Sequence, residues 1–114
     1  MRKLDLKNYT YSMKDQQGVI RLLPYNFKDV LVNVLTHPNL GLNGPELLEI
    51  NVVVEKIEKA GIEVFLTDDD YCKIIDILLK FRGFSRNDTQ FLKRIYSCPE
   101  MPDDGNKVIE FSRN

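Results

Sequence analysis

The chain has 114 residues, 43% hydrophobic and 29% charged, with 16 basic and 17 acidic side chains for a formal net charge of −1. That length suits one domain around one core, and the apolar content argues against intrinsic disorder, which needs low hydrophobicity and a large net charge. No apolar run approaches the roughly 18–20 residues that span a bilayer, and the start, MRKLDLKNYT, has no apolar stretch of the kind a secretory signal carries. The expectation is a cytoplasmic protein without membrane contact.

The first elements read as β structure. Leu4 and Leu6 alternate with Asp5 and Lys7, and a second alternation runs through Tyr9, Tyr11 and Met13. The two are out of phase, so a bulge or bend is expected near Asn8. Residues 14–18, KDQQG, form a polar turn ending in glycine. A return strand over residues 19–23 follows, closed by Pro24.

Three or four helices occupy most of the remainder. Asn26 suits an N-cap, and Phe27, Val30, Leu31, Val34 and Leu35 make the stripe of a core-facing helix that His37-Pro38 ends. A loop over residues 39–44, NLGLNG, leads to Pro45 and Glu46, which suit the first turn of a second helix. Its stripe is Leu47, Ile50, Val54 and Ile57, and Gly61 makes a stop; the β-prone run Val52-Val53-Val54 competes with the helix. Residues 62–66 read as a short strand. Thr67 and Asp70 then form a capping-box pattern opening a third helix, with Tyr71, Ile74, Ile75, Leu78 and Phe81 on its apolar face and Gly83 at its end. Ser85 or Asn87 caps a fourth, whose buried face is Phe91, Leu92, Ile95 and Tyr96, and Pro99 breaks it. Residues 99–114 read as a loose tail or, over 107–111, a final edge strand.

The expected fold is therefore α+β: an N-terminal β-hairpin and one or two further short strands packed against three to four α-helices, all in one domain over residues 1–114. The expected core is Leu6, Tyr11, Ile20, Leu22, Phe27, Val30, Leu31, Val34, Leu48, Val54, Ile57, Val64, Leu66, Ile74, Ile75, Leu78, Leu92 and Ile95.

Chemistry-bearing patterns are few. Cys72 and Cys98 lack metal-ligand spacing and, with His37 the single histidine, are expected to be small buried or half-buried hydrophobes. Asp68, Asp69 and Asp70 lack the alternate spacing of a calcium loop and suit the positive end of a helix. Neither glycine-rich phosphate-loop pattern occurs. The expectation is a non-enzymatic chain without cofactor or metal; a Cys–His enzyme would need His37 beside Cys72 or Cys98.

Binding residues are sought instead in the charge layout. Residues 1–28 carry +4, residues 29–70 carry −7 and residues 71–114 carry +2. Such bands suit contact with a protein partner or a second copy. Residues 80–94, KFRGFSRNDTQFLKR, join two helices through a tight glycine turn and gather Lys80, Arg82, Phe84, Arg86, Lys93 and Arg94. That outline fits either a protein-facing basic rim or a helix-turn-helix contacting nucleic acid. Leu40 and Leu42, on the loop after the first helix, are a second candidate surface.

The segments LDLKNYTYSMKDQQGVIRLLPYNFKDVL, EVFLTDDDYCKIIDIL and FRGFSRNDTQFLKRIYSCPEM together resemble small proteins of tailed bacteriophages and prophages whose activity is unassigned. The resemblance carries over no functional residue. It implies a setting in a bacterial host's cytoplasm and action through contacts, as an assembly factor, a minor particle component or a modulator of a host protein.

Overall fold

The structure, a computed structural model, describes residues 1–100. Its strands are β1 (Arg2–Asp5), β2 (Tyr9–Lys14), β3 (Ile20–Tyr25) and β4 (Glu63–Leu66), and its α-helices are α1 (Phe27–Leu35), α2 (Gly44–Lys59), α3 (Asp68–Lys80) and α4 (Thr89–Tyr96). Single 3-10 turns at Pro38–Leu40 and Arg86–Asp88 lead into α2 and α4. The α+β class holds. The expected strand at residues 107–111 lies outside the described residues.

The two early alternations belong to different sheets. β1 pairs antiparallel with β4, placing Leu4 opposite Val64, while β2 pairs antiparallel with β3. The phase slip at Asn8 is thus a change of sheet rather than a bulge. Asn8 has a task there: its side-chain oxygen accepts from the Phe27 N–H at 3.0 Å, so Asn8 caps α1 from across the chain. The expected cap, Asn26, contributes its carbonyl to Val30 but no side-chain bond.

The β2–β3 turn follows from its residues. Asp15 Oδ1 accepts from the N–H groups of Gln17 and Val19, its carbonyl accepts from Gly18, and Gly18 takes the left-handed backbone (φ 83°) that glycine tolerates without strain. β3 does not stop at Pro24 but runs to Tyr25. The Asp15 N–H to Val19 C=O bond sets the parity of the ladder, because hydrogen-bonded and non-bonded pairs alternate in antiparallel strands. By that parity Tyr9–Tyr25, Tyr11–Leu23 and Met13–Arg21 exchange bonds, and Thr10, Ser12 and Lys14 direct their backbone groups outward. Pro24, opposite Thr10, sits where its missing N–H costs no ladder bond.

α1, α2 and α3 pack on one another, β4 lies along α3, and α4 closes against β1. The core includes Leu4, Phe27, Leu31, Leu35, Val53, Ile57, Leu66, Ile74, Phe91 and Ile95. Three expected core residues are instead exposed: Ile20 (69%), Leu22 (72%) and Leu48 (71%). Ile20 and Leu22 alternate as core residues would, but among the described residues the outer half of the hairpin has no layer against it. On α2 the inward face is Ile50, Val53, Val54 and Ile57, rotated away from Leu47 and Leu48. Tyr11, Val30, Ile75 and Leu92 are half-buried at the core's margin. α2 stays helical through Val52-Val53-Val54 because that face is buried and because Asn43 and Glu46 form a capping box at its start.

α3 begins as expected, with Thr67 and Asp70 exchanging capping bonds, but ends at Lys80 rather than at Gly83. Asp70 also accepts from Lys56 on α2. Burial pushes the Asp70 carboxyl up, yet the Lys56 ammonium and the Thr67 bonds outweigh it and hold the group below its usual value. A folded-state value below the unfolded one stabilises the fold above the unfolded value, and that contribution disappears as pH falls through the folded one. Wild-type protein should therefore lose urea resistance more steeply than Asp70→Asn as the pH drops from about 5 to about 3. Urea midpoints measured across that window check this.

Candidate functional site: a basic cleft between the hairpin and the last helix

An aromatic cluster joins the hairpin to the helices. Tyr9 stacks on Tyr25 with ring centroids 4.7 Å apart, Tyr25 reaches Phe91 at 6.0 Å, and Phe91 meets Phe27 at 5.0 Å. The Tyr25 hydroxyl donates to Asp88 Oδ1 at 2.6 Å, while Asp88 Oδ2 accepts from the Ser85 N–H at 2.8 Å. Asp88 thereby anchors β3 and shapes the turn that carries Arg86. Burial, and then the bond to Asp88, push the Tyr25 phenol well above its usual range, so it remains a donor.

Between β2 and the Arg86–Asp88 turn with α4 lies a cleft of about 780 Å³. Its walls are Tyr9, Thr10, Tyr11, Ser12 and Lys14 on one side and Arg86, Asn87, Thr89, Gln90 and Lys93 on the other. Among the described residues no carboxylate lines it. Lys14, Arg86 and Lys93 are exposed and form no ion pair among the described residues. Their convergence joins residues about 70 positions apart, which no local pattern announces.

The residues singled out in the sequence separate into four groups. Arg86 and Lys93 line this cleft. Lys80 lines a smaller one between α2 and α3, where Glu46, Glu49, Lys73 and Asp76 mix the charge. Arg82 is exposed on the α3–α4 connection. The remaining four are turned inward. Arg94 donates to the Lys7 carbonyl at 2.6 Å and to that of Asp5 at 3.3 Å, with its guanidinium 4.4 Å from the Phe27 ring centroid. Phe84 packs on Phe81 and Phe91, and Leu40 and Leu42 lie half-buried against the core. Lys14, Thr10 and Ser12 carry no local signal in the sequence; only the folded hairpin brings them to α4.

The outline of a helix-turn-helix is altered as well. Residues 81–88 separate α3 from α4, ending in the 3-10 turn, so the connection is not a tight glycine turn. The exposed side of α4 bearing Thr89, Gln90 and Lys93 is walled by β2 rather than standing free.

Cys98 is buried, with its thiol against the Lys3 carbonyl, whereas Cys72 is exposed rather than sheltered. Burial pushes the Cys98 thiol up, against the lowering effect of Arg2. His37 sits by a different element: Nδ1 accepts from the Asn39 N–H, and the ring meets Phe81 edge-on at 5.3 Å. It shapes the Pro38–Leu40 turn. Among the described residues no group of three or more His, Cys, Asp or Glu side chains is placed to hold a metal ion, and no helix is long and apolar enough to cross a membrane.

No protein-family model matches the chain, and neither a curated protein nor a solved structure matches it.

Two substitutions test the cleft's framework. Tyr25→Phe leaves Asp88 short of a donor and should cost about 1–2 kcal/mol in urea unfolding. Arg94→Met removes two carbonyl bonds and the stacking on Phe27, and should cost about 1–3 kcal/mol.

Proposed function

We propose that the chain is a non-enzymatic module that binds another protein, with the cleft between β2 and α4 as its contact surface. The observation that supports this best is the meeting of Lys14, Arg86 and Lys93 in one cleft whose described lining holds no carboxylate. Bases that neutralise nothing among the described residues leave a potential for a partner of opposite charge to satisfy. The resemblance to small phage and prophage proteins suggests the setting: an assembly factor, a minor particle component or a modulator of a host protein, in a bacterial cytoplasm. A homo-oligomer is a further form of the proposal, since Glu49, Glu55 and Glu58 of the −7 band are exposed and form no ion pair among the described residues.

Nucleic-acid binding through residues 80–94 has less support. Its bases are divided between two clefts and an internal strut, as described for Lys80, Arg86, Lys93 and Arg94. The Tyr9 ring, a wall of the cleft, already carries Tyr25 and Arg94 and has little face left for a stacked base.

The test compares wild type with Lys14→Glu/Arg86→Glu/Lys93→Glu by affinity capture from a bacterial lysate and by light scattering. Wild type should retain a protein partner or a second copy at low salt, and the triple variant, with an unchanged circular dichroism spectrum, should lose it by about tenfold or more. Equal retention by the two proteins would overturn the assignment of the cleft. Salt-sensitive binding to duplex DNA, lost on reversing Arg86 and Lys93, would replace it with the regulator reading.

A further inference from the structure

We infer that the occupant of this cleft is an extended acidic segment of a partner protein that adds to β2 as a third strand. The inference rests on the reading of the cleft as a protein-binding surface. Three observations carry it beyond that reading.

The first is how β2 lines the cleft. Successive side chains of a strand point to opposite faces, so a cleft on one face would touch alternate residues. This one touches Tyr9, Thr10, Tyr11 and Ser12 in succession and no residue of β3. It therefore views β2 along its open edge. The ladder parity places the backbone N–H and C=O groups of Thr10, Ser12 and Lys14 on that edge, where they have no hydrogen-bond partner among the described residues. Unpaired edge groups in a row are a template for another strand, and the cleft gives that strand a second wall in α4.

The second is the contrast with the other edge. The outward positions of β3 are Ile20, Leu22 and Pro24, and proline has no N–H to offer. β2 carries no proline and no bulge in its register. A hairpin of two strands gains from a third, and β2 is the edge that can accept one along its length.

The third is charge. A strand on β2 would run past Lys14, Arg86 and Lys93, and the other described residues that line the cleft are uncharged. A second copy pairing β2 with β2 about a two-fold axis would bring the same bases of both chains together, since such an interface repeats one patch. Like charges oppose that arrangement. An acidic strand from a different surface or a different protein meets no such opposition.

Fluorescence anisotropy on the full chain tests the inference with a labelled ten-residue peptide of alternating glutamate and threonine. The comparison probes are its fully N-methylated counterpart, which keeps the charge and loses the backbone donors, a lysine–threonine peptide, and a ten-residue oligo-dT. The glutamate peptide should bind and slow amide exchange at Thr10, Ser12 and Lys14. Its affinity should fall about tenfold or more on N-methylation, on Ser12→Pro and on Lys14→Glu/Arg86→Glu/Lys93→Glu. Ser12→Pro removes an outward N–H without touching a ladder bond, and the N-methylated probe makes the same comparison without altering the protein. Equal binding of the N-methylated peptide, or no binding of the glutamate peptide by protein that still retains a lysate partner through the three bases, would overturn strand addition and leave the cleft's assignment standing. Tighter binding of oligo-dT than of any peptide would overturn both.

Discussion

The contact on which this molecule depends most is that of Tyr25 with Phe91, reinforced by the hydrogen bond from Tyr25 to Asp88. A two-stranded hairpin is marginal in water by itself, and among the described residues β2–β3 pairs with no further strand. Tyr25 is the buried end of β3, and through it the hairpin is held against α4 and α1. Tyr9 stacks on that ring. Everything beyond this base, from Ser12 through the turn to Leu22, stands clear of the core, which is why Ile20 and Leu22 are exposed.

One carboxylate coordinates the two sides of the cleft. Asp88 receives the Tyr25 hydroxyl and the Ser85 N–H, so the position of β3 and the shape of the Arg86–Asp88 turn are coupled. Arg94 performs the matching task from the second turn of α4, binding the carbonyls of Asp5 at the end of β1 and of Lys7 between β1 and β2. Arg2 acts similarly, donating to the Cys98 carbonyl at 2.8 Å with its guanidinium 4.4 Å from the Tyr71 ring centroid. Arginine suits such struts, since a planar guanidinium stacks on a ring while donating from its edge. With Arg2 and Arg94 engaged internally, the bases left to the cleft are Lys14, Arg86 and Lys93.

This division shows why charge counted along the chain is a poor guide to surfaces. The +4 of residues 1–28 includes Arg2, committed to a carbonyl and a ring, and Lys3, paired with Glu63 at 3.2 Å. The aspartate run at residues 68–70 is divided likewise: Asp70 faces Lys56, and Asp69 pairs with Lys73 one turn on. Net charge by segment describes composition, whereas the potential at a cleft depends on which side chains have already met a partner.

What is local was legible in the sequence. Helices α1 to α4, the capping box at Thr67, the strand at Glu63–Leu66 and the Asp15–Gly18 turn follow from short-range periodicity, side-chain-to-backbone bonds and the freedom of one glycine, whereas the capping box at Asn43 appears only in the structure. Two of the cleft's bases, Arg86 and Lys93, were also found that way, because they flank one helix start. Only the tertiary structure decided that β1 leaves the hairpin for β4, that Asn8 rather than Asn26 caps α1, and that Arg94 turns inward while Lys14 joins α4. The reason is physical. Alternation reports that a strand has two faces, but not whether a layer exists to cover one, and a basic side chain is open or committed according to partners brought from elsewhere in the chain.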